Sequence, residues 1–127
     1  MLWYRETMPS NVMFTVQPTM SCLNALHHYE LQDWKNKNFS TNRESDTTDL
    51  TRHNVFGSFE LDAMPTELMQ KCLELNITDS WYQDFIGSFK YSKAKNQSTK
   101  RMIAELDARR GCNFAATFPD LVPYFVD

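Results

Sequence analysis

Residues Arg101 to Leu121 read RMIAELDARRGCNFAATFPDL, and the order of signals within them decides how the chain is finished. Just upstream, Ser98 offers a hydroxyl to the unpaired amides of a first helical turn. Met102, Ile103 and Leu106 share one face at helical spacing, with Lys100, Glu105, Asp107 and Arg109 outside it. Gly111 suits the left-handed position that stops a helix, and Arg109 and Arg110 place positive charge at the negative end of its dipole. Phe114, Phe118, Leu121 and Tyr124 follow, broken by Pro119 and Pro123. The chain is therefore expected to turn back and lay aromatic rings over the helix instead of prolonging it.

The same signals recur upstream. Thr78 or Asp79 caps a helix in which Trp81, Tyr82, Phe85, Ile86 and Phe89 form a core-facing stripe. Pro65 opens another, with Glu67 in the first turn, an apolar face of Leu68, Met69, Cys72, Leu73 and Leu75, and a stop at Asn76. Lys90 to Gln97 (KYSKAKNQ) reads as a basic linker. Asn36 to Leu50 has no apolar period and reads as a long exposed loop. Val55 to Leu61 suits either a short strand with a glycine bend or an extended loop pinned by Phe56 and Phe59. Val12 to Val16 (VMFTV), set between Pro9 and Pro18, reads as a short buried strand. Thr19 or Ser21 then caps a helix running to about Lys37, with Leu23, Leu26, His27, Leu31 and Trp34 on its stripe. The sum is an α+β class, or a fragment of an α/β fold: mainly helical, about four helices with one or two short strands. A β-α unit spans 1–37, a polar loop and extended segment 38–62, and a helical cap 63–127, all in one compact unit.

With 127 residues, 42% of them hydrophobic, the chain is long enough for a core of its own and too apolar for disorder. A net charge of −3 leaves no basic footprint for nucleic acid. No apolar run approaches ~18 residues, so no membrane-spanning helix is expected. MLWYRETMPSNV lacks the basic start and apolar centre of a signal peptide, which predicts a cytoplasmic protein. Cys22, Cys72 and Cys112 are widely spaced and odd in number, as suits free thiols in a reducing compartment.

Catalytic and metal signatures are sparse. His27 and His28 point about 100° apart on a helix and do not form an i, i+4 ligand pair, so no metal site is predicted. His27 falls on the apolar stripe and reads as a hydrogen-bonded core histidine. His53, in Thr51-Arg52-His53-Asn54, is the more exposed candidate. No GxSxG nucleophile elbow occurs, and carboxylate pairs such as Asp46 with Asp49 or Glu60 with Asp62 are as well explained by a solvated surface. No catalytic set is assigned.

Three segments together resemble the C-terminal, twitch-type portion of radical-SAM proteins. Asn11 to Trp34, NVMFTVQPTMSCLNALHHYELQDW, is similar to a late barrel strand with an xSxLNxxxL pattern and its following helix. The Thr51 to Leu75 block, with PTELMQKCLEL, looks like the segment that leaves the barrel and re-enters a helix. Leu106 to Leu121, LDARRGCNFAATFPDL, is similar to an LDxxRxxxFxxxFPEL ending, with Asp120 in place of the glutamate. The resemblance implies a piece that completes or caps a barrel and shapes its substrate pocket, without catalysis of its own. Its partner would be the remaining portion of the enzyme. The iron-sulfur cluster and S-adenosylmethionine belong to the implied parent, since a CxxxCxxC loop is absent here and this chain is expected to carry no cofactor. Thr19, Ser21 and Asn24, at the carboxyl end of the Val12 strand, are then nearest a ligand, with His53 a further candidate. Two alternatives stand beside it. One is a small non-enzymatic protein-binding module with an aromatic and methionine surface. The other is a small hydrolase with its site around His53.

Overall fold

Helices dominate the described residues, which are 15–16, 19–39, 47–48 and 59–127 of the computed structural model. They are α1 (His28–Phe39), α2 (Thr66–Leu75), α3 (Ser80–Gly87), α4 (Lys93–Arg110), α5 (Phe114–Thr117) and α6 (Val122–Phe125). Short 3-10 turns at Ala25–His27, Leu61–Ala63 and Pro119–Leu121 connect them. Strands among the described residues are β1 (Thr15–Val16) beside β2 (Thr47–Thr48), parallel and in register Thr15 to Thr47 and Val16 to Thr48, with a lone bridge residue at Met20. Two residues fall short of the roughly three to ten that make a usable strand, so the described residues hold no sheet broad enough for helices to pack on. The α+β expectation is thereby overturned in favour of a helical architecture. Of the expected strand, residues 12–14 lie outside the described residues, as do 55–58 of the second extended segment. Leu61, the end of that segment, is in a 3-10 turn.

Local chemistry explains most boundaries. The Asp79 carboxylate accepts from the Tyr82 amide at 2.9 Å and starts α3. Asn76 ends α2, its amide and its side-chain Nδ2 both donating to the Cys72 carbonyl. Gly111 has φ 63°, the left-handed conformation that a side chain resists, and closes α4. The start of α4 differs from expectation. Ser92, not Ser98, is the cap, its Oγ accepting from the Lys95 amide at 3.3 Å, so the expected linker forms the first turns of the helix. The helix near the amino terminus also starts late, because Cys22–Asn24 form a turn and Ala25–His27 a 3-10 turn before α1 begins. That shift of phase buries His28 instead of His27.

The core gathers around the turn at Leu61–Ala63. Leu61, Ala63 and Met64 are fully buried, against Leu68 and Cys72 of α2, Tyr82 and Ile86 of α3, and Ile103 of α4. Complete burial of a Leu, Ile or Met side chain contributes roughly 1.5–3 kcal/mol, so this turn is the apolar centre of the molecule. Polar ties hold it from every side. The Ser92 amide donates to the Asp62 carbonyl at 2.8 Å, and the Cys22 amide to the Phe59 carbonyl at 3.0 Å. Lys95 Nζ bridges the Glu60 and Asp62 carboxylates, which hold its ammonium up at about 12. Buried Asn96 donates through Nδ2 to the Ala63 carbonyl at 2.9 Å and the Tyr124 carbonyl at 3.3 Å, joining the turn, α4 and α6.

Replacing Asn96 by Ala takes this donor from the buried Ala63 carbonyl and the partly buried Tyr124 carbonyl. An Asn96→Ala variant is expected to lose about 1–3 kcal/mol in urea unfolding, whereas Lys93→Ala, on the exposed side of α4, changes stability by less than about 0.5 kcal/mol. Equal losses in the two variants would deny the buried amide its role.

Candidate functional site

The carboxyl end of α4 and the segment after it build the most chemically distinct surface among the described residues. Because Gly111 reverses the chain, Asp107 comes beneath the start of α5, and its carboxylate oxygens accept from the Phe114 amide at 3.1 and 3.3 Å. Asn113 caps the same short helix, its Oδ1 accepting from the Ala116 amide at 3.1 Å. Two side chains thus satisfy amides that four residues of helix leave unpaired. Phe114 is buried, its ring 5.3 Å from that of Phe118, and Leu121 is fully buried beyond them.

Between α4 and this closing segment runs a groove of about 240 Å³. Its walls are Ile103 and Leu106 of α4, Phe114 and Phe118 of the closing segment, and Leu23 and Phe59 from upstream. Its lining is almost wholly carbon, with Cys112 at the exposed rim. The volume is below the ~300–1,000 Å³ of clefts that enclose small molecules, and suits one or two apolar side chains from another surface. A second depression of about 390 Å³, by Gln97, Lys100, Arg101 and Asp127, is spanned by the Lys100–Asp127 ion pair at 2.7 Å and focuses no groups on one point.

No family model, curated protein or solved structure matches this chain.

The residues singled out from the sequence fare unequally. Thr19, Ser21 and Asn24 do come together in one turn. Asn24 Oδ1 accepts from the Ser21 amide and Asn24 Nδ2 donates to the Thr19 carbonyl, each at 2.8 Å, while Ser21 Oγ accepts from the Leu23 amide at 3.3 Å. These bonds engage the three residues with one another as turn chemistry. His53 lies outside the described residues. His27, expected in the core, is half-buried and pairs with Glu30 at 3.2 Å and Asp120 at 3.7 Å.

The three cysteines do not assemble. Burial pushes the Cys22 thiol up to about 12 and the Cys72 thiol up to about 11, opposite to the shift a metal-binding thiolate needs, and Cys112 is exposed. Among the described residues no three His, Cys, Asp or Glu side chains are placed to hold a metal ion. These thiols do not fit an iron-sulfur cluster. No helix of the described residues is long and apolar enough to cross a membrane.

Leu23 and Phe59, read from the sequence only as apolar anchors of their own segments, reach the groove from distant parts of the chain. Leu106, Phe114 and Phe118 were visible in the closing segment, as apolar residues at helical and turn spacing. Asp107→Ala removes the acceptor of the Phe114 amide and is expected to cost about 0.5–2 kcal/mol in thermal or urea unfolding, while Asp107→Asn, which keeps an acceptor oxygen, retains most of that. An alanine variant as stable as the parent would mean that the closing segment is held by its aromatic rings alone.

Proposed function

We propose that this chain is a non-catalytic helical cap, the C-terminal portion of a radical-SAM-like enzyme, which docks on the barrel portion through the groove beside Phe118 and shapes the substrate side of its pocket. The observation that supports this is the use made of the closing segment. Each apolar or acidic residue shared with the LDxxRxxxFxxxFPEL pattern serves the architecture. Leu106 and Phe118 line the groove, Asp107 holds the Phe114 amide, and Phe114 and Leu121 are buried. Asp120, at the glutamate position, lies 3.7 Å from His27 Nε2. On this reading a pattern made of such residues is kept for its architecture, and the chemistry is left to the barrel. An open apolar groove at its edge gives the cap something to dock with. Cluster and S-adenosylmethionine would both be held by the barrel polypeptide.

A second reading is favoured by one observation. Leu26, in the segment that resembles the helix after a barrel strand, is only 3% exposed and packs into this chain's own core. A module closed in this way can stand alone and offer the same groove to an unrelated protein.

Co-expression separates the two. The coding sequence adjoining this chain is searched for a CxxxCxxC-bearing barrel, and the two polypeptides are produced together. The cap reading expects a one-to-one complex on gel filtration that Phe118→Asp dissociates while leaving the helical circular dichroism unchanged. A barrel polypeptide that elutes free of this chain contradicts the cap and leaves the stand-alone module.

A further inference from the structure

His28, the first residue of α1, is 3% exposed, yet it is an ionisable group with no part in the groove. Its ring lies flat on Tyr82 of α3, centroids 4.8 Å apart and planes 2° apart. Nε2 is 3.1 Å from Asp79 Oδ2, while Asp79 Oδ1 caps α3 by accepting from the Tyr82 amide. Gln32, one turn along α1, donates through its own Nε2 to the same Asp79 Oδ2 at 3.2 Å. The Tyr82 hydroxyl donates to the Ala25 carbonyl, and Asn76 Nδ2 approaches the Leu26 carbonyl at 3.5 Å. The arm of Ala25 to Phe39 is thus tied to the α2–α3 pair by polar contacts centred on one imidazole, beside the apolar packing of buried Ala25 and Leu26 at its start.

The tautomer follows from the partners. Nε2 also lies 3.2 Å from the Gln32 amide nitrogen, a donor that is turned to Asp79 Oδ2; a carboxylate only accepts, so Nε2 carries the proton and donates to Asp79, and Nδ1 keeps its lone pair. Nδ1 is buried and has no hydrogen-bond partner among the described residues. A second proton would create a charged N–H in the interior with no acceptor to meet it. We propose that His28 is an acid-released clasp: proton uptake at Nδ1 on acidification loosens the arm of Ala25 to Phe39 from α2 and α3, ahead of the rest of the fold.

The titratable groups facing the ring are Asp79 and Tyr82, with Cys72 of α2 beyond the tyrosine. The Asp79 carboxylate favours the imidazolium, as does the face of the Tyr82 ring. Desolvation is the larger effect and lowers the His28 pKa from its ordinary value. The open arm therefore binds more protons than the closed one below about pH 6.5. The clasp contributes fully above that value and is lost as pH falls from there through the lower value of the closed state.

Amide hydrogen exchange of the full chain, corrected for the intrinsic rate, reads this at about pH 7.5 and about pH 5.5. Protection of α1 is expected to fall at the lower pH while that of α4 holds. In His28→Gln, whose amide can still donate to Asp79 but does not titrate in this range, α1 protection is expected to be the same at both. Loss of α1 protection to the same degree in His28→Gln overturns the proposal, as does parallel loss in α1 and α4 of the parent. Should that variant fail to fold, the imidazole titration of His28 in the parent, followed by NMR, decides alone. A midpoint below about 6.5 supports the clasp, and one above it refutes it.

Discussion

The Asn96 carboxamide is the tie on which the rest of the architecture depends. It lies in the first turns of α4 and donates to one carbonyl in the turn at Leu61–Ala63 and to another in α6. Three segments far apart in sequence therefore meet at one buried side chain. The turn it holds has Leu61, Ala63 and Met64 completely out of water, and the long helix it sits on carries the closing segment at its other end. Buried carbonyls without donors cost more than the bonds themselves contribute when made, so the interior has little freedom to rearrange about this point.

Downstream of that tie the molecule finishes itself. Gly111 reverses the chain, Asp107 and Asn113 satisfy the amides of α5, and Phe114 and Leu121 close the core. What is left over is the shallow groove between Leu106 and Phe118, apolar and too small for a typical metabolite. The groove and the stability of the closing segment thus draw on the same few residues. That is why a sequence pattern spanning them reads as architecture more than as chemistry.

Much of this is legible from local signals. Asp79, Asn76 and Gly111 sit where cap and stop chemistry puts them, and Pro65 stands just ahead of α2. The departures have physical causes. Lys93 to Gln97 resembles a linker because the buried face of α4 begins with Asn96 and Thr99, whose hydrogen bonds take the place of apolar contacts and leave no hydrophobic period to detect. The histidines exchange places because a 3-10 turn, at about three residues per turn, displaces the helical phase by the time α1 begins. Tyr82 and Ile86 are core as expected, but Trp81, Phe85 and Phe89 are only half-buried, packed against the outside of that core, Trp81 stacked on Phe85 at 4.9 Å and Phe89 edge-on to Phe85 at 5.3 Å between centroids. Aromatic spacing fixes a stripe on a helix and not how deep it sinks. Of the candidate site, Leu106, Phe114 and Phe118 are in view from the sequence, while Leu23 and Phe59 depend on long-range folding that no local pattern records.

A single core organised by the Asn96 tie should melt as one. Equilibrium urea unfolding followed in parallel by far-ultraviolet circular dichroism, which reports the six α-helices of the described residues, and by tryptophan fluorescence, to which Trp81 on α3 contributes, tests this most directly. Coincident transitions with one midpoint are predicted. Separated transitions, with helix lost at a urea concentration where the Trp81 environment persists, would contradict it and show that α4 and its closing segment fold apart from α2 and α3.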